Sequence, residues 1–369
     1  MDSWLIYRGQ GEPDPERIGR LPDPPRWRRF SGDPLPDAVP PVDHSTERRL
    51  GERAPLPIQD DESLQLINAA LYLRRPLLVT GEPGSGKSTL AHAVAHELGL
   101  GRVLQWPVVS RSELRDGLYA YDAIGRLQDA QLSRERASGT GPVPDRARAG
   151  DRTRPDGADP VGGADPAGAA EDNAIGRYIR LGPLGTALLP SVRPRVLLID
   201  ELDKSDIDLP NDLLNVLEEG EFRIPELERI ADREGQRTVH VLDEDGRRVP
   251  VTDGRVRCHA FPFVVMTSNG ERDFPAPLLR RCLHLKLEPP RNERLAALVQ
   301  AHFGPGADEL HHDLLQSFVE GDDGGELRLT DQLLNAIFLT QFAAREDRVR
   351  RGEIADLLMR PLDQQHPRR

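Results

Sequence analysis

The sequence predicts an α/β protein built on a parallel sheet, and three segments carry this prediction. Residues 76–80 form a short apolar run that enters a glycine-rich loop, and residues 90–98 have the composition of a helix that leaves it. Residues 196–199 are four consecutive apolar residues, as expected of a strand buried on both faces of a parallel sheet. Residues 263–269 form another apolar run that ends in polar residues. The carboxyl ends of these three predicted strands are where α/β sheets bind ligands.

The glycine-rich loop fits the pattern G-x-x-x-x-G-K-[ST], which wraps the phosphates of a nucleoside triphosphate. A strand, a glycine loop and a helix together direct backbone N–H groups at an anion. The chain contains 49 Lys and Arg residues, of which only three are Lys. One is Lys87, and its compact ammonium suits a tight phosphate loop. The candidate nucleotide-binding residues are Gly81, Glu82, Pro83, Gly84, Ser85, Gly86, Lys87, Ser88 and Thr89.

A second signal lies at the end of the 196–199 run, where Asp200 and Glu201 follow the apolar residues. Asp200 and Ser88 are the candidate Mg²⁺ ligands, and Glu201 is the candidate general base for an attacking water. Asn269 ends another strand and is a candidate for contact with the γ-phosphate or the water, although Asn is also common in turns. Arg281 is a candidate for donation to a phosphate, with a surface ion pair as the alternative.

Length and composition limit the number of domains and the kinds of partner and site that this chain can have. A chain of 369 residues predicts one large or two modest domains. The net charge of −12 argues against nucleic acid as the main partner. Two cysteines, Cys258 and Cys282, are too few for a zinc site or a disulfide framework and are expected to be buried. No signal peptide and no membrane-spanning apolar run is apparent, so we expect a cytoplasmic protein.

Two segments differ in composition from the rest. Residues 1–57 are rich in Pro and Arg and read as an extended arm, with a disordered tail as the alternative. Residues 136–172 consist mostly of Gly, Pro, Ala, Asp and Arg, which predicts a disordered insertion within a domain spanning 58–290. The apolar residues expected to anchor the arm are Trp4, Tyr7, Trp27 and Phe30.

The order of these motifs resembles the AAA+ ATPases, and more narrowly the MoxR-type branch, including versions found beside bacterial conflict-system genes. The resemblance covers residues 58–290 as spelled motifs and extends more loosely to about 345. The motifs that carry it are residues 75–88, 182–184, 198–203, 213–220, 267–269 and 277–281.

This resemblance implies a P-loop NTPase fold, with five parallel strands in the order 5-1-4-3-2 and helices on both faces. An all-helical lid would follow at 291–360, and a tail at 361–369. Two inserted hairpins, within 121–181 and 225–262, would face the pore of a ring. The second contains an Asp-Gly turn between two strand-like runs.

The resemblance also implies residue roles. Lys87 and Ser88 match the Walker A positions, Asp200 and Glu201 match Walker B, and Asn269 matches sensor 1. Arg281 aligns best with the arginine finger, with Arg280 a close second. Arg328 is the candidate sensor 2 arginine, although the surrounding residues depart from the usual pattern.

Three functions follow as expectations. The favoured one is Mg²⁺-dependent ATP hydrolysis by a homo-oligomeric, hexameric ring that remodels or activates a protein partner. The second is an ATP-dependent switch or scaffold with slow hydrolysis, and the third a GTP- or ATP-driven nucleic-acid motor. The acidic charge balance counts against the third.

Overall fold

A computed structural model describes most of the chain in two compact units. The described residues are 4–35, 50, 60–137, 175–234, 237–289, 293–304, 306–323, 330–343, 353–355 and 357–359. Almost all of the predicted insertion at 136–172, Arg328 and the tail at 361–369 lie outside them. Unit 1 falls within 1–114, 187–221 and 257–369, and unit 2 within 115–186 and 222–256.

Eleven strands occur among the described residues, and they form two sheets. In chain order they are β1 (Leu77–Thr80), β2 (Leu104–Pro107), β3 (Tyr119–Tyr121), β4 (Ile179–Leu181), β5 (Val196–Asp200), β6 (Glu221–Arg223), β7 (Thr238–Leu242), β8 (Arg248–Thr252), β9 (Arg255–Arg257), β10 (Phe263–Ser268) and β11 (Leu283–Lys286).

Twelve α-helices accompany them in the described ranges. They are α1 (Asp61–Leu73), α2 (Lys87–Glu97), α3 (Leu114–Leu118), α4 (Ala123–Ala137), α5 (Pro183–Ala187), α6 (Asp208–Glu219), α7 (Pro225–Glu234), α8 (Ala276–Arg281), α9 (Glu293–Phe303), α10 (Ala307–Leu310), α11 (His312–Asp323) and α12 (Thr330–Ala343). None of these helices combines the length and apolar character that a membrane crossing needs.

The first sheet is parallel and contains five strands, as the apolar runs predict. Its order is β11-β1-β10-β5-β2, with β1 paired to both β10 and β11, and β5 to both β10 and β2. Counted along the chain, these strands lie in the order fifth, first, fourth, third, second. The ends of β1, β5 and β10 are therefore neighbours at one edge of the sheet.

A large apolar cluster of unit 1 lies on one face of this sheet. Alternate strand residues such as Leu77, Val79, Leu198 and Val265 join one buried cluster with apolar residues of α1 and α2. All four apolar residues of β5 are fully buried, so the strand is covered on both faces as its composition predicts.

The second sheet contains the other six strands of the described residues. Its order is β3-β4-β7-β8-β9-β6. β7 and β8 are antiparallel, with Val241 opposite Val249, which confirms a hairpin around the Asp-Gly turn. β3 and β4 are also antiparallel and lie on either side of the long insertion.

Buried polar contacts hold residues 4–35 to the rest of unit 1. The side-chain oxygen of Asn68 accepts from the backbone N–H groups of Ile6 and Tyr7 at 2.7 and 3.0 Å. Glu97, at the end of α2, accepts from the N–H of Arg8 at 2.7 Å and from the guanidinium of Arg17 at 2.9 Å, and its side chain is 0% exposed. These contacts support an ordered arm over this range.

Three of the four predicted aromatic anchors pack on the body, and the prediction for Trp27 was wrong. Tyr7 is fully buried, Phe30 stacks on Phe261 at 5.3 Å between ring centroids, and Trp4 meets Tyr72 edge-on. Trp27 is 75% exposed.

Its neighbour Arg28 is buried instead. The Arg28 guanidinium donates to the carbonyls of Arg74 at 2.8 Å and Leu217 at 3.1 Å, close to the ends of α1 and α6. It also lies 4.4 Å from the centroid of the Phe261 ring. Unsatisfied carbonyls at two helix ends explain why an arginine is buried in preference to the tryptophan.

Two further features follow the sequence. Cys258 and Cys282 are free and buried, and burial raises the pKa of each thiol to about 12. After residue 293 the described chain is helical, and α9 to α12 share an apolar cluster of their own that includes Leu295, Phe318 and Leu333.

We predict that Glu97→Ala lowers the free energy of unfolding by about 3–5 kcal/mol, because it removes one of the two carboxylates that pair with the buried guanidinium of Arg17 and leaves three backbone N–H groups without their acceptor. Urea unfolding measures the change. The exposed Glu12→Ala is the control and is expected to change stability by less than about 0.5 kcal/mol. Equal midpoints for the two variants would contradict the assigned role of Glu97.

Candidate nucleotide-binding site

A cavity of about 540 Å³ lies in unit 1 at the edge where β1, β5 and β10 end. It brings together most of the residues that the sequence singles out. Its polar wall and floor contain Pro83, Gly84, Ser85, Gly86, Lys87, Ser88, Thr89, Asp200, Glu201, Thr267 and Asn269. The C-terminal helices contribute Arg294, Leu298, His302, Thr330, Asp331 and Leu334 to its lining, and Leu90, Ala93, Leu287 and Glu288 complete it.

The loop between β1 and α2 has the geometry that its glycines require. A Cβ at Gly81 would collide with the carbonyl oxygen of Leu287, which comes directly after β11. Gly86 has φ +88° and caps the N-terminus of α2, a conformation that favours glycine. Lys87 and Ser88 are the first two residues of the helix, so they lie where backbone N–H groups and the helix dipole favour an anion.

The Lys87 ammonium is largely buried and folded back onto its own loop. Its Nζ donates to the carbonyls of Gly81 and Glu82, each at 2.8 Å. Burial lowers the pKa of Lys87, and nearby carboxylates, Asp203 first among them, oppose that shift. The Lys87 Nζ therefore lies among acceptors that phosphate oxygens can replace.

A chain of hydrogen bonds connects the loop to the two neighbouring strand ends. Ser88 Oγ donates to Asp200 Oδ1 at 2.6 Å, and Thr267 Oγ1 donates to the same oxygen at 2.7 Å. Thr267 Oγ1 in turn accepts from the backbone N–H of Glu201 at 2.8 Å. The end of β10 therefore fixes both acidic residues at the end of β5.

This arrangement fits a Mg²⁺ ion. A hydroxyl and a carboxylate oxygen in contact are hard oxygen donors, and Mg²⁺ is commonly held by one or two protein ligands together with phosphates and waters. The described part of the chain has no group of three or more His, Cys, Asp or Glu residues that could hold a metal ion. Ser88 and Asp200 would be the protein ligands.

Glu201 lies in the left-handed conformation, with φ 60° and ψ 47°, at the start of the 3₁₀ turn Leu202–Lys204. Such a conformation costs energy for a residue other than glycine and is common at functional sites. The Glu201 carboxylate is 44% exposed and accepts from Lys204 Nζ at 2.7 Å. This ion pair raises the pKa of Lys204.

Asn269 follows β10 and, like Glu201, lines the cavity. Its backbone N–H donates to Asp203 Oδ2 at 2.9 Å, and the N–H of Glu271 donates to the same oxygen at 3.1 Å. The turn that presents Asn269 is therefore tied to the turn that presents Glu201.

The C-terminal helices contact the loop and line the cavity with residues spaced four apart. Thr330 Oγ1, at the start of α12, donates to the carbonyl of Gly84 at 3.1 Å. Arg294, on α9, donates to Asp60 at 3.1 Å. His302, two turns along α9, also lines the cavity; burial lowers its pKa, and the charge of Asp331 opposes the shift.

The structure describes two of the three arginines that the sequence predicts for the site. Arg280 and Arg281 are exposed near the end of α8 and are not among the residues that line the cavity. Arg281 Nε lies 3.7 Å from a Glu218 carboxylate oxygen, so the surface ion pair that the sequence left open is present. Arg328 lies outside the described residues.

Sequence reasoning missed several residues that the structure places at the site. Thr267 stands inside the 267–269 motif, yet its hydroxyl could be given a role only once β5 and β10 were known to be neighbours. Lys204 had a signal in composition, being one of only three lysines. Asp203 stands inside the 198–203 motif, but its contact with the Asn269 turn could not be read from it. Arg294 and Thr330 had no local pattern that marked them.

Comparison with known proteins agrees with this geometry. The family model described as the ATPase family associated with various cellular activities (AAA) matches residues 77–137, which contain β1, the phosphate loop and α2. No curated protein matches the chain. The family match, together with the parallel sheet and its loop, supports an AAA-type ATPase and nucleotide binding.

We predict that Lys87→Met weakens binding of a fluorescent ATP analogue by about 10–100-fold, because it removes a charged donor to phosphate while leaving a side chain of similar length. Fluorescence titration in the presence of Mg²⁺ measures this affinity. Lys286→Met is the matched control, because Lys286 is exposed on β11 and does not line the cavity. Equal affinities for the two variants would contradict the role of Lys87.

We also predict that Asp331→Asn lowers the pKa of His302 further. The burial of His302 disfavours its charged form, and Asp331 supplies an opposing negative charge that the substitution removes. An NMR pH titration of the His302 ring, with Asp23→Asn in the exposed arm as control, measures the change. An upward shift would mean that another charge governs this histidine.

Proposed function

We propose that the protein hydrolyses ATP with Mg²⁺ as a ring-forming, MoxR-type AAA+ ATPase and uses the energy to remodel or activate a protein partner. The hydrogen-bonded chain from Ser88 through Asp200 and Thr267 to the backbone of Glu201 carries the proposal. It holds a candidate Mg²⁺ ligand and a candidate general base beside a phosphate loop. In this proposal residues 58–290 form the catalytic core and 291–360 the helical lid.

In the proposed reaction the phosphate loop binds the triphosphate and the Lys87 ammonium moves from the loop carbonyls to its oxygens. A bound Mg²⁺ would neutralise phosphate charge. Glu201 accepts a proton from water as the water oxygen attacks the γ-phosphorus in line and the bond to the bridging oxygen breaks. Asn269 orients the water or the γ-phosphate from the adjacent strand end.

A neighbouring subunit completes this site in the proposal. The exposure of Arg281 and its place outside the cavity of its own chain fit an arginine that acts on another subunit's nucleotide. Arg280 is the alternative finger. A hexamer is the proposed ring size, and the hairpins of unit 2 are the proposed contacts with the protein partner.

A second function is favoured by one observation. Lys204 holds the Glu201 carboxylate at 2.7 Å, and a general base engaged in an ion pair is less available to water. This suits an ATP-dependent switch or scaffold in which hydrolysis is slow and only resets the bound state. The two functions differ in turnover, not in nucleotide binding.

Steady-state hydrolysis of ATP and GTP against protein concentration tests the proposal, with Glu201→Gln as the variant. We expect turnover to rise cooperatively with concentration, and Glu201→Gln to lower it by about 10²–10⁴-fold while nucleotide still binds, because the amide cannot accept the proton. Tight binding without turnover at any concentration would support the switch. A preference for GTP would support a nucleic-acid motor.

Mixing variants tests whether the site is shared. Glu201→Gln removes the base from a subunit's own site, and Arg281→Ala removes the finger it gives to its neighbour. Mixed assemblies should recover part of the activity that each lacks alone, because some sites then hold both residues. Failure to recover, with assembly shown by light scattering, would argue against a finger at Arg281 and turn the test to Arg280→Ala.

A further inference from the structure

Two turns present the candidate catalytic side chains, and they come from strands far apart in the sequence. One begins at Glu201 after β5, and the other runs from Ser268 to Glu271 after β10. Glu201 is in a left-handed conformation, and Gly270 has φ +81°. The first turn is a single short 3₁₀ turn and the second is irregular, so contacts besides those of the sheet must fix their relative position.

Asp203 makes the connection between the turns. Its Oδ2 accepts from the backbone N–H of Asn269 at 2.9 Å and from that of Glu271 at 3.1 Å. A second link lies further along, where Arg272 donates to the carbonyl of Ser205 at 3.0 Å. One carboxylate oxygen therefore satisfies two backbone donors on the turn that carries Asn269.

Burial makes this contact strong. Asp203 is 2% exposed, and its other oxygen, Oδ1, is buried without a hydrogen-bond partner among the described residues. Charge-assisted hydrogen bonds are about twice as strong as neutral ones, and a buried carboxylate needs them most. The negative charge of Asp203 also acts on the Lys87 ammonium more than that of Asp200 or Glu201.

We propose that Asp203 is a positioning residue that holds the Asn269 turn against the Glu201 turn, so that both side chains address one phosphate position. Asp203 does not itself touch the reacting atoms. The inference rests on the proposed hydrolysis and adds to it the residue that sets the spacing between the general base and Asn269.

Asp203→Ala tests the proposal through turnover and nucleotide affinity measured separately. We expect kcat for ATP to fall by about 10–100-fold, because misplacement of a catalytic group by about 1 Å can cost that much. The affinity for the fluorescent ATP analogue should fall by much less than kcat, because Asp203 is not among the residues that line the cavity, although loss of its charge also acts on Lys87. An unchanged kcat, or an equal loss in affinity and kcat, would overturn the proposal.

Two variants act as controls for folding and for charge. Asp203→Asn keeps an oxygen that can accept both N–H groups, so it should recover much of the rate lost in Asp203→Ala. Asp206→Ala changes an aspartate of the same loop that is 79% exposed and should leave turnover within about twofold. If Asp203→Asn is as slow as Asp203→Ala, the charge and not the hydrogen bonds matters, and the positioning role is refuted.

A double-mutant cycle with Asn269→Ala separates positioning from a general structural effect. If Asp203 acts by placing Asn269, then Asp203→Ala should cost much less in the Asn269→Ala background than in the wild type. Additive losses would refute the positioning of Asn269.

A readout that does not need hydrolysis distinguishes failure of this inference from failure of the proposed function. Hydrogen exchange at the amides of Asn269 and Glu271, followed by mass spectrometry, should speed up in Asp203→Ala and not in Asp206→Ala. Wild-type protein that binds ATP without turnover would refute the proposed hydrolysis alone. Unchanged exchange in Asp203→Ala would refute the role of Asp203 in holding the Asn269 turn, whether or not ATP is hydrolysed.

Discussion

The arrangement of the site depends on one atom, Asp200 Oδ1, which accepts hydrogen bonds from Ser88 and Thr267. One hydroxyl comes from the start of α2, which precedes β5 in the sequence, and the other from the end of β10, which follows it. The contact is possible because parallel strands end at one edge and β5 lies next to β10. A different strand order would separate the same residues, so the sheet topology is a condition for the chemistry.

How far sequence reasoning could go depends on the range of each interaction. The phosphate loop, the β5 strand and its two carboxylates were predictable, because their patterns lie within a few consecutive residues. The parts of the site that were missed act across the fold. Asp203 belongs to the 198–203 motif, but its role is not apparent until its partners on the Asn269 turn, 66 and 68 residues away, are known.

The arm at residues 4–35 also contains contacts that the sequence alone could not predict. Aromatic residues are the usual choice for anchors, yet Arg28 is buried and Trp27 is exposed. Hydrophobicity ranks residue types alone, whereas the burial of Arg28 depends on carbonyls at two helix ends that only the folded structure provides. Glu97 follows the same logic, since it gathers donors from the arm at the far end of the helix that begins with Lys87. Specific polar contacts thus hold the arm in a chain of modest hydrophobic content.

The charge around Lys87 adds a final constraint. Burial disfavours its ammonium, and the carboxylates of Asp203, Asp200 and Glu201 favour it. Those carboxylates would repel a bare triphosphate entering the cavity, and one of them is already paired with Lys204. A triphosphate that arrives with a divalent cation carries less negative charge and brings its own counterion to Asp200. In the proposed reaction, these electrostatics would make the cation important for binding the nucleotide as well as for cleaving it.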